Sequence, residues 1–211
     1  MTYSIKEMFY TLQGEGNQAG RPAVFCRFSG CNLWSGREQD RASAICTFCD
    51  TDFVGTDGLG GGKFKGANGL ALAINSLWPI SHQGHKYVVL TGGEPLLQVD
   101  DALVEALHKH SFTVAVETNG TIIPPSGIDW LCVSPKSTAE LKITKGDELK
   151  LVYPQTEAQP EKFEHLTFNH FYLQPMDGPE AHLNTELTIK YCKAHPKWKL
   201  GLQMHKILMI P

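Results

Sequence analysis

The sequence predicts an α/β fold, an incomplete TIM-like (β/α) barrel with fewer full-length helices than strands. Three observations carry that reading. Short, nearly continuous apolar runs recur along the chain, as in parallel strands buried on both faces. Amphipathic stretches of helical spacing separate some of these runs but not all. The residues that follow the runs are polar and sit beside Gly or Pro, as expected where a site forms at the carboxyl ends of strands.

Taken in order, Ala23 to Phe28 reads as a strand, and the glycine-rich stretch Gly55 to Lys63 as a loop. Ala67 to Trp78 has the spacing of a helix and is ended by Pro79. Tyr87-Val88-Val89-Leu90 is rich in β-branched residues and stops at Gly92-Gly93, the pattern of a buried strand. Asp101 to His110 places Leu103, Ala106 and Leu107 on one helical face. Further strands are predicted at Thr113 to Val116, Trp130 to Val133, Leu149 to Val152, Phe171 to Leu173 and Leu200 to Met204. No internal repeat is present, and 211 residues suit one domain, 1–211.

The chain is 42% hydrophobic and 19% charged, a globular composition that needs no disulfides to bury a core. Its formal net charge of -3, without any basic run, argues against a large nucleic-acid partner. The N-terminus lacks the apolar stretch of a leader, and no apolar run is long enough for a membrane. A cytoplasmic protein is the expectation. Six cysteines in a reducing compartment point to metal or redox chemistry.

Cys46 and Cys49 form a C-x2-C pair, and Cys31 lies 15 positions before Cys46. Three thiolates can hold three irons of a [4Fe-4S] cluster and leave the fourth iron open. The competing reading is a structural zinc site, which wants four protein ligands and would need Cys26. Cys26 sits inside the alternating run Val24-Phe25-Cys26-Arg27-Phe28, facing away from Arg27. From the cysteines alone both readings stand. Cys132 and Cys192, in apolar or helical context, read as buried structural thiols.

The surrounding residues extend the pattern. Gly30-Cys31-Asn32-Leu33-Trp34 and Cys46-Thr47-Phe48-Cys49-Asp50-Thr51 resemble the C-x3-C-x2-C signature of the radical S-adenosylmethionine superfamily, interrupted by an insertion at 35–45. Gly92-Gly93-Glu94-Pro95, after a strand, resembles the superfamily's GGE motif. Within the superfamily the chain is most similar to the 7-carboxy-7-deazaguanine synthase family. The similarity runs from Phe9-Tyr10-Thr11-Leu12-Gln13-Gly14-Glu15-Gly16 through Arg27-Phe28-Ser29-Gly30-Cys31-Asn32-Leu33, Cys49-Asp50-Thr51, Leu90-Thr91-Gly92-Gly93-Glu94-Pro95, Glu117-Thr118-Asn119-Gly120, Val133-Ser134-Pro135-Lys136 and Gln174-Pro175-Met176 to Gln203-Met204-His205-Lys206.

That resemblance implies a radical ring contraction of 6-carboxy-5,6,7,8-tetrahydropterin to 7-carboxy-7-deazaguanine with release of ammonia, a step of queuosine biosynthesis. It implies a [4Fe-4S] cluster on Cys31, Cys46 and Cys49, with S-adenosylmethionine and Mg2+. Thr51 is the implied Mg2+ ligand, a hard oxygen whose alternative reading is a helix cap. For S-adenosylmethionine the candidates are Phe48, Cys49, Asp50, Gly93, Glu94, Glu117, Ser134, Pro135 and Lys136. For the pterin they are Leu12, Gln13, Gly14, Glu15, Arg27, Thr91, Gln174, Pro175, Met176, Asp177, His205 and Pro211. Arg27 offers a bidentate fork for a carboxylate, and Glu15 an acceptor for the guanidine-like edge of the pterin. The partners implied are a one-electron donor of flavodoxin-like type and a second copy of the chain. An activase for a glycyl radical enzyme and a non-catalytic zinc module are the alternatives.

Overall fold

In the computed structural model, which describes residues 1–80 and 84–211, the strand alternation of the sequence becomes one curved sheet with two unlike faces. Its elements are β1 (Thr2–Leu12), β2 (Pro22–Phe28), β3 (Gly62–Lys65), α1 (Ala67–Leu77), β4 (Lys86–Gly92), α2 (Asp101–Lys109), β5 (Phe112–Thr118), β6 (Trp130–Val133), β7 (Lys145–Tyr153), β8 (Thr167–Pro175), α3 (Ala181–Ala194), β9 (Lys199–Leu200) and α4 (Met204–Leu208). Among the described residues the strand order is β3-β1-β2-β4-β5-β6-β7-β8-β9. Every pairing from β2 to β9 is parallel, whereas β1 pairs antiparallel with both β2 and β3. The sheet has two edges and does not close, so the architecture is an incomplete barrel.

The outer face is dry. Val24, Cys26 and Phe28 of β2, Val88 and Leu90 of β4, and Val114 and Val116 of β5 share one core with Leu70 and Ile74 of α1 and Leu103 and Leu107 of α2. At the other face a small second core of Ala23, Tyr87, Val89 and Ala115, with Phe25 and Trp130 against it, closes the amino-terminal end of the strands. Above this plug the inner face turns polar, and the cavity opens there.

Four elements differ from the sequence reading. The predicted strand from Leu200 to Met204 shrinks to Lys199–Leu200: Gly201 N–H donates to Leu173 O at 2.7 Å, and Met204 then begins α4. β1 is absent from the sequence reading because a bulge breaks its alternation: Ile5 faces Phe28, yet Glu7 faces Arg27, so Lys6 is the extra residue. α3 escapes because Leu183, Leu187 and Ile189, its most recognisable apolar positions, face outward, while Asn184 and Thr188 are buried. Asn184 Nδ2 donates to Met176 O at 2.9 Å, and this polar contact seats the helix. The Gly55 to Lys63 loop is also shorter than expected, because β3 begins at Gly62.

Asp100 links the first strand to the second helix. It caps α2 by accepting from Leu103 N–H at 2.9 Å and accepts from the buried Tyr3 hydroxyl at 2.7 Å. Asp100→Ala removes the cap and orphans the phenol, and is expected to lower unfolding free energy by about 2–3 kcal/mol. Tyr3→Phe should cost about 1 kcal/mol. In urea denaturation the double variant should lose less than the two single losses combined.

Candidate functional site

Period-two alternation sends one residue of each strand pair into the concave face, and there these residues line a cavity of about 390 Å³. Glu7 and Phe9 come from β1, Phe25 and Arg27 from β2, Thr91 from β4, Glu117 from β5, Lys150 and Val152 from β7 and Gln174 from β8. Loops at the carboxyl ends of the strands complete it. The strands run further than their apolar cores, so Thr91, Glu117 and Gln174 are strand residues rather than residues after strands.

Most of the residues singled out in the sequence meet in this cavity. Leu12, Gln13, Gly14, Glu15 and Arg27 line it, as do Cys46, Phe48, Cys49, Asp50 and Thr51 of the cysteine loop. Gly93, Ser134 and Lys136 line it as well, with Pro175, Met176, Asp177, His205 and Pro211. Pro211 O accepts from Thr11 Oγ1 at 3.0 Å, and Lys136 Nζ lies 5.8 Å from the Phe48 ring centroid. Thr51 is followed by loop, so the helix-cap alternative falls away.

Three residues stand outside the lining. Pro135 is one, its carbonyl accepting from Gln155 Nε2 at 3.4 Å. Glu94 is fully buried: Leu96 N–H and Thr118 Oγ1 donate to Oε1 at 3.0 and 2.8 Å, and Asn119 N–H to Oε2 at 2.8 Å. Its side chain thus knits the end of β4 to the end of β5. Burial pushes this carboxyl up despite those donors. Cys31 is the third, lying behind the strand end with Sγ accepting from Leu33 N–H at 3.4 Å. Glu94 N–H donates to Gly30 O at 2.9 Å. A Cβ at Gly93 would lie 2.3 Å from that same carbonyl oxygen and 2.9 Å from Cys31 Cβ. Only glycine lets the β4 end approach the cysteine loop this closely.

Cys31, Cys46 and Cys49 are all free thiols. Burial raises Cys31 and Cys46, with smaller contributions from the neighbouring cysteines, and Lys136 pulls Cys46 back down. Among the described residues no three His, Cys, Asp or Glu side chains converge on the position of a single metal ion. A cubane makes a different demand, because each thiolate meets a different iron and the sulfurs surround the cluster. Three unbridged thiols within electrostatic reach of one another, two of them at a cavity wall, suit that group. Cys26 lies in the dry outer core, on the wrong side of the sheet to complete a zinc site.

Arg27 and Glu15 carry partners the sequence reading lacked. Arg27 Nε donates to Glu7 Oε1 at 2.7 Å, a pair that the β1 bulge creates. Glu15 is ion-paired with Lys150, whose ammonium also reaches Glu117 Oε2 at 3.3 Å. Lys206 bridges Asp50 at 2.6 Å and Asp177 at 2.5 Å, and Gln203 Nε2 donates to Glu15 at 3.0 Å. Lys150 was detectable in principle: Glu148 and Lys150 alternate with Leu149 and Leu151 in a strand that parallel packing should bury on both faces. Gln203 and Lys206 lie in the last segment of the family resemblance, Gln203-Met204-His205-Lys206, but their partners, Glu15 for one and Asp50 with Asp177 for the other, are too distant in sequence to be read from it.

Comparison with known proteins gives the following. No family model matches the chain. A 7-carboxy-7-deazaguanine synthase of Bordetella pertussis is 64% identical over 211 residues, covering all of both chains. One of Caulobacter vibrioides is 62% identical over the same full length. The crystal structure of QueE from Escherichia coli superposes with a TM-score of 0.72 at 29% identity, covering 97% of this chain and 95% of that one.

The charge of Glu15 has a measurable consequence. Burial alone would raise this carboxyl, but the Lys150 charge and the hydrogen bonds from Lys150 and Gln203 outweigh it and hold it at about 2, against an ordinary value of 4.5. A depressed carboxyl contributes stability that is complete above its unfolded value and is lost as pH falls through the folded one. Glu15→Gln should therefore lack this part of the acid limb. The gap in unfolding free energy between wild type and variant is expected to shrink by about 3 kcal/mol between pH 6 and pH 2. Urea titrations across that range measure it.

Proposed function

The chain belongs to the 7-carboxy-7-deazaguanine synthase family, and from that premise we propose that its cavity contracts 6-carboxy-5,6,7,8-tetrahydropterin to 7-carboxy-7-deazaguanine with release of ammonia. The observation that carries the reading is the convergence in one cavity of segments scattered from Leu12 to Lys206, the same segments in which the sequence resembles the family. As a member of a radical S-adenosylmethionine family the chain works with that compound and a [4Fe-4S] cluster. When bound, these two supply the radical that starts the ring contraction.

The chain's own residues have the remaining tasks. Cys31, Cys46 and Cys49 hold the cluster in this reading, and Phe48 packs on the adenine, with Lys136 set beside its ring. Lys136, Ser134 and Glu117 meet the carboxylate and ribose hydroxyls, while Gly93 gives the methionine end close backbone approach. Glu94 acts from behind, by fixing the backbone of Asn119 and Leu96. In the same cavity the backbone of Leu12, Gln13 and Gly14 and the Glu15 carboxylate face the pterin edge, and Arg27 its carboxylate. Thr91, Met176, Asp177 and His205 enclose the ring and exclude water. Thr51 would supply one hard oxygen to Mg2+, and a single hydroxyl ligand would leave the rest of the sphere to substrate and water.

The whole chain serves as one domain in this reading, with 35–45 as a surface insertion: none of those residues is buried. The insertion lies between the first two cysteines, where a flavodoxin-like donor would approach the cluster. Leu183 and Leu187 on α3 and Ile207 and Leu208 on α4 are large exposed apolar residues, a surface suited to a second copy of the chain. No helix among the described residues is long and apolar enough to cross a membrane. We place the enzyme in the cytoplasm, where its thiols stay reduced.

Anaerobic reconstitution is expected to load about four iron and four sulfide per chain. Turnover with the tetrahydropterin and a reductant should then yield the deazaguanine, identified by mass. Zinc without iron, or an unreacted pterin, would overturn the reading. Cys31→Ala should lose both cluster and turnover, because two thiolates remain. Thr51→Ala should keep the cluster while raising the Mg2+ concentration needed for half-maximal rate by about 10-fold.

A further inference from the structure

The acceptor groups at the pterin end of the cavity belong to a closed circuit of hydrogen bonds. Lys150 Nζ donates to Glu15 Oε2 and, at 3.3 Å, to Glu117 Oε2. Gln13 Nε2 donates to Glu117 Oε1 at 2.9 Å, and Glu15 N–H donates to Gln13 Oε1 at 3.1 Å, which returns the circuit to its start. Two amides meet the other Glu15 oxygen, Gln203 Nε2 at 3.0 Å and Gln174 Nε2 at 3.4 Å. Gln174 Oε1 is buried and has no partner within the protein. The amide cannot turn over to relieve this, because an ionised Glu15 accepts only and would then face a second acceptor. A buried oxygen of this kind calls for a donor from a ligand.

We infer that Lys150 is a positioning residue for substrate selection: held between Glu15 and Glu117, the latter on the S-adenosylmethionine side, it keeps Glu15 and the open Gln174 oxygen beside it as acceptors matched to a ligand edge made of N–H donors. The inference rests on the proposed pterin substrate and adds a residue that touches the edge only through others. A guanidine-like edge presents such donors, whereas a dione edge presents a carbonyl oxygen to the same acceptors and is rejected by unpaired, like-signed dipoles.

The surroundings leave Lys150 as the main counter-charge. Glu15 is faced by Glu117 from β5, Cys132 from β6, Glu148 and Lys150 from β7, His205 from α4 and Asp50 from the cysteine loop. Of these Lys150 is the ion-paired cation, and its side chain is 6% exposed. Without it, burial is left opposed only by the Gln203 hydrogen bond and the smaller His205 contribution, and pushes the Glu15 carboxyl up toward the protonated form, which donates rather than accepts.

The test compares binding of 6-carboxypterin and of 6-carboxylumazine, which carries an oxo group in place of the 2-amino group. Anaerobically reconstituted protein with S-adenosylmethionine is titrated by calorimetry from pH 6 to pH 9. Wild type is expected to prefer the pterin by about 100-fold or more throughout. Lys150→Met should lose at least about 10-fold of that preference at pH 7 and regain it toward pH 9, as Glu15 ionises. Lys150→Arg should keep the wild-type preference. Should Lys150→Met not fold, the double variant Glu15→Gln/Lys150→Met removes both charges together. It should bind the pterin as weakly at pH 9 as at pH 6. A Lys150→Met preference equal to wild type at every pH, or a double variant that recovers at high pH, would overturn the inference alone. Wild type that fails to distinguish the two ligands would instead overturn the pterin reading, and the inference with it.

Discussion

Strands β2, β4, β5, β7 and β8 send alternate side chains to a dry face under α1 and α2 and to a concave face that carries charge, and this division governs what is built on the sheet. The dry face supplies the apolar burial that holds the domain together. The concave face gives up part of that gain, placing Arg27, Glu117, Glu148 and Lys150 where hydrophobic residues would pack. Buried charges are tolerated only when paired, so the inner face is a set of mutually satisfied groups before any ligand arrives. Glu15, Glu117 and Lys150 are positioned by each other, and the cavity is preorganised by the contacts that make it stable.

Loops inherit this order because each is fastened to the sheet or to another loop by a specific contact. Glu94 joins the ends of β4 and β5, Gly93 lets the cysteine loop lie against that junction, and Gln13 ties the loop after β1 to Glu117. Lys206 joins Asp50, next to Cys49, to Asp177, just beyond β8. A cation between two walls of one cavity couples the side expected to hold the cluster to the side expected to hold the substrate. The two halves of the site therefore share their rigidity.

Much of this is legible in the sequence, and the exceptions have physical causes. β4 and β5 are readable because Val88, Val89, Leu90, Val114 and Val116 satisfy two buried faces at once, and α2 because Leu103, Ala106 and Leu107 recur on one buried face. The site residues at strand ends are readable because Gly, Pro and polar residues cluster there. Contacts between distant residues are not readable. Nothing local says that Arg27 pairs with Glu7, that Lys150 sits between Glu15 and Glu117, or that Glu94 is spent on protein donors. α3 stays hidden because Asn184 and Thr188 are buried while its leucines face out, which inverts the usual amphipathic pattern. Leu200 to Met204 misleads because apolar residues at the end of a sheet serve a short strand and then a short helix.

The extra residue in β1 acts as a change of phase along the strand. Before it, Tyr3 and Ile5 point into the dry core; beyond it, Met8 does, while Glu7 and Phe9 turn inward against Arg27 and Phe25. Lys6 itself is expelled from the alternation, and its ammonium reaches Val54 O at 2.9 Å and Asp52 and Asp57 at 2.8 Å. Pairing Lys6 into the ladder as an ordinary strand residue would exchange the sides of everything beyond it, sending a carboxylate into oil and a thioether into the binding chamber. The bulge thus stores one residue of length outside the ladder: loss of Lys6 would leave both halves of the strand in phase and remove the contacts of its ammonium, whereas a one-residue change elsewhere in the strand would shift the phase.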